Sequence, residues 1–147
     1  MDASSFPGPR SFARFMLRQG VLPLRPLLAE IATFRGSIIE SILFRDGPWQ
    51  VELISAMPHA RTEMHRHLRC SGADLVLNGS VSGIVNGRSL SSPPAGGLMA
   101  QLRTIARGEW HRGEAGDTGL VYLSFQQWHE GEPTFISRDW EAASDAA

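Results

Sequence analysis

From Ser37 onward, glycine, proline and asparagine cut the chain into runs too short for long helices, and this punctuation limits the fold more than any other feature. IIESILFR and WQVELISA, rich in β-branched and aromatic residues, flank the turn Asp46-Gly47-Pro48 and read as a hairpin. DLVLN leads through Gly79 into VSGIV as a second hairpin, and Asn86-Gly87 is the strongest short-range hairpin turn in the chain. After the loop SSPPAGG come LMAQLRTIA, a polar break GEWHRGEAGDTG, the run GLVYLSFQQW and a short tail strand at TFIS. Six or more short strands at a spacing of roughly 8 to 12 residues predict an all-β sandwich or barrel.

The first 36 residues have a different texture, because Phe12, Phe15 and Met16, then Leu24, Leu27, Leu28 and Ile31, recur at helical spacing. Two short helices are predicted. Ser11 caps the first and Gly20 ends it, while Pro26 suits the first turn of the second and Gly36 its end. They are expected to pack on the outside of the barrel or across a partner subunit. At 147 residues, 42% of them hydrophobic, the chain can build one core but not two. The expected organisation is a helical segment over 1–36, a barrel domain over 37–140 and a frayed tail over 141–147.

Charge narrows the partners. With 14 basic residues against 15 acidic ones, the chain has no net field to draw it to nucleic acid or an anionic membrane, so a small molecule is the expected partner. All the basic residues are arginines, which excludes chemistry through a lysine Schiff base or a lysine general base. Cys70 is the single cysteine, so an internal disulfide and any CxxC pair are excluded, and a metal must sit on His, Asp or Glu. No stretch has the length of a membrane span, and Pro7, Pro9 and three arginines interrupt the N-terminal region where a signal peptide needs an apolar run. A cytoplasmic protein is expected.

His65 and His67 flank Arg66, and on an extended strand residues two apart share a face, so both imidazoles can reach one ion. A strand and a glycine follow directly, and GEWH places His111 44 residues after His67. At these residues the sequence resembles the cupin superfamily. The first cupin motif is a glycine, an HxH pair, a glutamate and a second glycine, and His65, His67 and Gly79 fall at matching places. The second is PxGxxH followed by asparagine, and Gly108 and His111 match it. The resemblance covers about residues 50 to 128. His59 stands at the first glycine position, Gly72 at the glutamate, Ala106 at the proline and Ala115 at the asparagine.

The resemblance implies a double-stranded β-helix, or jelly-roll barrel, with short N-terminal helices. It also implies one divalent metal ion on His65, His67 and His111. Without the glutamate the chain is similar to the three-histidine cupins, which include thiol dioxygenases and the β-diketone dioxygenase. Three imidazoles on one side of an ion leave the opposite positions open, the mark of a catalytic rather than a structural metal. With Fe(II), the expected metal, such a site suits an enolate or thiolate chelator and dioxygen. With Zn, Ni or Mn it suits hydrolysis, isomerisation or a lyase step.

Several residues compete for roles around that site. Glu63 and Glu109 each lie two residues before a histidine and are candidates for a fourth ligand, a general base or a partner that orients an imidazole; Asp74 is a comparable outsider. Arg61, Arg66, Arg103 and Arg107 are candidates to bind an anionic group, Arg61 and Arg103 foremost. Trp49, Trp110, Phe125 and Trp128 are candidates for an apolar lining or for the core, and any phenol chemistry rests on Tyr122. Cys70 reads as a buried filler, and His59 and His129 as surface residues. Three functions compete: a metal-dependent enzyme, foremost an Fe(II) dioxygenase; a small-molecule-binding cupin without turnover; and an empty structural barrel. An open barrel edge and apolar N-terminal helices lead us to expect a homodimer.

Overall fold

The structure, a computed structural model, describes residues 6–18, 31–34, 37–91 and 102–144. One helix, α1 (Pro9–Arg18), precedes the strands among these residues. The strands are β1 (Ile31–Phe34), β2 (Ile38–Asp46), β3 (Trp49–Ala56), β4 (His65–His67), β5 (Cys70–Val85), β6 (Arg88–Ser91), β7 (Arg103–Ile105), β8 (His111–Trp128) and β9 (Trp140–Ala142). They form one curled antiparallel sheet in the order β1-β2-β3-β8-β4-β9, with β5 pairing β6, β7 and β8.

The two long strands produce the curl. The C-terminal half of β8 lies between β3 and the first half of β5, in the rows Val51–Phe125–Ala73 and Leu53–Leu123–Leu75. Its N-terminal half pairs Val81–Val85 of β5 and, at His111, β4. The change of partner occurs where β5 bulges at Val76/Asn78 and Gly79/Val81. There the backbones meet so closely that a Cβ on Gly79, at φ +76°, would lie 2.0 Å from the Gly119 carbonyl oxygen.

Both faces of this sheet are buried, but against different things. On one face Trp49, Val51, Leu75, Leu123 and Phe125 form a core with Phe12, Ala13 and Met16 of α1. The Phe12 ring lies 4.9 Å from Trp49 and 6.1 Å from Phe125, centroid to centroid. Burying aromatic side chains of this size contributes about 1.5–3 kcal/mol each, which anchors a helix too short to be stable alone. The opposite face carries Glu40, Gln50, Glu52, Ser124 and Gln126, all buried, and turns into the barrel. Alternation at period two thus separates the apolar face against α1 from an interior face that carries these polar side chains.

The predicted hairpin of β2 and β3 is present, closed by Gly47-Pro48 between the paired residues Asp46 and Trp49. Asn86-Gly87 closes β5 onto β6, with both residues at positive φ as a type I′ turn requires. Several expectations are corrected. Gly79 is not a hairpin turn, because DLVLN and VSGIV are two halves of one bulged strand. The polar segment from His111 to Gly119 is not a break but the first half of β8, where Arg112 and Glu114 share an exposed face.

TFIS is no strand, and Ile136–Arg138 instead forms a single 3-10 turn. The tail is not frayed at Glu141 and Ala142, which pair β4, where Arg66 holds the Glu141 carboxylate through two hydrogen bonds of 3.0 and 3.1 Å. At the N-terminus, α1 begins at Pro9 rather than after Ser11, whose hydroxyl donates to the Gly8 carbonyl from inside the first turn. Ile31, expected in a second helix, lies in β1 paired to Ser41. The other markers of that helix, with Gly20, and residues 98–101 of the LMAQLRTIA run lie outside the described residues.

Candidate metal centre and its cavity

β4 presents His65 and His67 on one face, and antiparallel pairing places His111, the first residue of β8, directly opposite His65. The three rings converge, with centroids 4.2 Å apart for His65 and His111 and 5.1 Å for each of the other pairs. One nitrogen from each lies within 4.8 Å of the others. Each Nδ1 is tied to a backbone carbonyl: His65 to Glu63 at 2.8 Å, His67 to Asp139 at 3.0 Å and His111 to Glu109 at 2.8 Å. A carbonyl only accepts, so every Nδ1 carries the hydrogen and every Nε2 keeps a free lone pair, the tautomer a metal ligand needs. The residues therefore fit one divalent ion.

Burial favours the same form. Desolvation, then the charge of His111, lowers His65 to about 3 and His67 to about 4. His111 is lowered as well, again chiefly by burial. All three are neutral at physiological pH. Gly108 stands at φ +75° in the turn that leads to His111, and its N–H donates to the His67 carbonyl at 2.8 Å, which links the two histidine segments.

The triad opens into a cavity of about 110 Å³ whose lining includes Glu40, Asp74, Arg103, Tyr122, Ser124 and Trp140. Asp74 is partly paired with Arg103 at 3.9 Å. Burial raises its pKa, against the lowering effect of Arg103. The Nε of Arg103 is buried without a hydrogen-bond partner among the described residues. Tyr122 is pushed well above the ordinary phenol value, first by burial and next by Asp74, and stays protonated. Trp140 stacks flat on His65, with centroids 3.6 Å apart at 11°.

Of the residues singled out from the sequence, the structure brings His65, His67, His111, Asp74, Arg103 and Tyr122 to one cavity. Trp49 and Phe125 are not there; they are 1% and 0% exposed in the core against α1, on the opposite face of their strands. The Glu63 and Glu109 backbones, not their side chains, contact the imidazoles. Glu63 is exposed on a surface groove with Arg61, while the Glu109 carboxylate binds the Asn86 side chain and the Ala106 N–H. No carboxylate joins the triad within 4.8 Å among the described residues. Gly72, at the place of the cupin glutamate, lines the cavity, where a Cβ would sit 3.6 Å from Ser124 Oγ.

Arg66 pairs with Glu141 and lies 4.8 Å over the Trp110 ring, and Arg107 binds the Leu68 carbonyl and Glu130. Trp128 is a core residue whose Nε1 donates to Gln126 Oε1. Cys70 is buried as the first residue of β5, and burial pushes its thiol up. The nearby Asp139 carboxylate is occupied by the N–H groups of Arg69 and Cys70 and by the Arg69 guanidinium. His59 and His129 are exposed.

Glu40 and Trp140 are among the lining residues that were not anticipated. Glu40 stood in view as a carboxylate between Ile38 and Ile42 on one strand face, a polar residue where an apolar one is the rule. Trp140 had no local signal, because its place depends on β9 returning to β4.

No family model matches the chain, and no curated protein sequence matches it. Solved structures do. It is similar to Rru_A2000 from Rhodospirillum rubrum, a cupin-2 domain, at a TM-score of 0.61 and 17% identity over 80% of this chain and 76% of that one. It is similar to KdgF from Halomonas sp. at 0.58 and 12% identity, over 69% and 87%. A cupin 2 conserved barrel domain protein from Rhodopseudomonas palustris aligns at 0.57 and 10% identity, over 79% and 77%. The chain has the cupin fold, the double-stranded β-helix.

Proposed function

We propose that the protein is a metal-dependent enzyme acting on a small anionic molecule, with one divalent ion held by Nε2 of His65, His67 and His111. The observation that carries this reading is the shared tautomer: three imidazoles, two buried and one half-buried, each locked by a backbone carbonyl, point three free lone pairs at one place. Once bound, the ion supplies a Lewis acid that polarises an oxygen of the substrate or of water. Arg103 offers an anionic group a guanidinium with a spare buried N–H in the same cavity. Tyr122 holds a proton at its hydroxyl, and Asp74 exchanges one nearer neutrality than an ordinary carboxyl. This set supports proton transfer, as in a lyase, isomerase or hydrolase using Zn, Ni or Mn.

An Fe(II) dioxygenase acting on a diketone- or thiol-like chelator is the second reading. Gly72 favours it, since the place of a fourth ligand is left without a side chain and the triad stays neutral, which suits an anionic chelating substrate. Elemental analysis of the protein purified without a His tag, beside His65→Ala and His111→Ala, tests the site. About one ion per chain, absent from both variants, is expected. No metal after reconstitution refutes the proposal. Turnover under nitrogen then supports the first chemistry, and turnover only with oxygen uptake supports the second.

A further inference from the structure

The segment from Thr134 to Trp140 touches the triad at one end and a row of buried polar residues at the other. Its Asp139 carbonyl accepts from His67 Nδ1 and its Trp140 ring covers His65, so it orients two of the three imidazoles. Three side chains on the interior face of β2 and β3 hold it. Gln50 Nε2 donates to the Thr134 carbonyl at 2.7 Å, Glu52 Oε1 accepts the Ile136 N–H at 2.9 Å, and Glu40 Oε2 accepts from Ser137 Oγ at 2.6 Å. Gln50 and Glu52 are 0% exposed and bonded to each other at 2.8 Å. Burying such groups costs free energy that an apolar pair would not, so the local fold does not call for them.

We propose that Gln50, Glu52 and Glu40 are positioning residues for the metal centre, acting through the segment 134–140 to set His67 and His65. The inference rests on the metal-site reading above and extends it to side chains that contact none of the three imidazoles. The tethers fix the Ile136–Arg138 turn, the turn fixes Asp139 and Trp140, and these two fix ring orientation. Loosening the far end leaves all three ligands present but lets the rings swing. The signature is a change in the metal's coordination rather than its loss.

The test titrates Co²⁺ into the metal-free full chain and records affinity and the visible ligand-field spectrum for wild type, Glu52→Gln, Glu52→Leu and Ser137→Ala. Thermal midpoints without metal are measured in parallel. Glu52→Gln keeps an acceptor for the Ile136 N–H and retains the wild-type spectrum. Glu52→Leu removes it and weakens Co²⁺ binding by about 10- to 100-fold, with altered bands. Ser137→Ala, a mild change at a half-buried site, moves both readouts in the same direction and decides the matter should Glu52→Leu not fold. Wild-type affinity and bands in the folded variants, whatever their thermal midpoints, overturn the proposal. Absence of Co²⁺ bands in wild type, or bands that survive His111→Ala, defeats the metal site itself and this inference with it.

Discussion

Acidifying the protein from pH 7.5 to 5.0 will weaken its affinity for a divalent metal far less than it would weaken that of an exposed histidine cluster. An imidazole ligates only when the binding nitrogen is deprotonated. At the ordinary value of about 6.5, roughly one ring in thirty is neutral at pH 5.0, so two such histidines would weaken binding about 1000-fold, near 4 kcal/mol. Here burial, assisted by the charge of His111, lowers His65 to about 3 and His67 to about 4. At pH 5.0 both then remain at least about nine-tenths neutral, and the loss expected from these two rings is under about twofold. Calorimetric titration with Co²⁺ in two non-chelating buffers of different ionisation enthalpy gives both the affinity and the protons released per ion. The expected release at pH 5.0 is at most about one proton per ion, since His65 and His67 contribute almost none. A hundredfold fall in affinity, or release near two protons, would refute the claim that burial keeps these rings neutral.

Two further outcomes follow from the same structure. In the metal-free protein the unfolded chain takes up protons on His65 and His67 below about pH 6.5 while the folded one does not until about 3 for His65 and about 4 for His67, so their contribution to stability is full above 6.5 and lost on acidification. By pH 5 the loss is about 2 kcal/mol for each. The raised carboxyls Glu40, Glu52 and Asp74 act in the opposite sense, because the folded state holds their protons. The quantity to compare by urea unfolding is therefore wild type against His65→Gln/His67→Gln, and equal pH slopes would count against burial of the rings. Gly79→Ala places a Cβ 2.0 Å from the Gly119 carbonyl at a positive φ, and is expected to destabilise by at least about 3 kcal/mol. A loss under about 1 kcal/mol in chemical denaturation would mean that the strand crossing is not tight.

Local chemistry made much of this protein legible in its sequence. The β2–β3 hairpin and the Asn86-Gly87 turn follow from residues that accept positive φ between alternating runs. The pair His65 and His67 shares a face because strands have a period of two, and Gly108 before His111 marks the turn that brings the third histidine back.

Other features depend on which part of the chain covers which. Both faces of β3 and β8 are buried, so alternation alone could not say whether Trp49 and Phe125 or Gln50 and Gln126 lie on the interior side of the sheet. Docking of α1 decided it, by placing Phe12 on the aromatic face. Gly79 reads as a turn until Gly119 is seen against it. Trp140 and Glu141 read as an end until β9 pairs β4, more than 70 residues away in sequence. The sequence by itself determined the β2–β3 hairpin, the Asn86-Gly87 turn and the shared face of His65 and His67, because turn conformation and strand alternation act over a few neighbouring residues. Only the tertiary structure decided which face is interior, which carbonyls lock the imidazoles and which buried polar groups hold the segment behind them, because those depend on contacts between residues far apart in the chain.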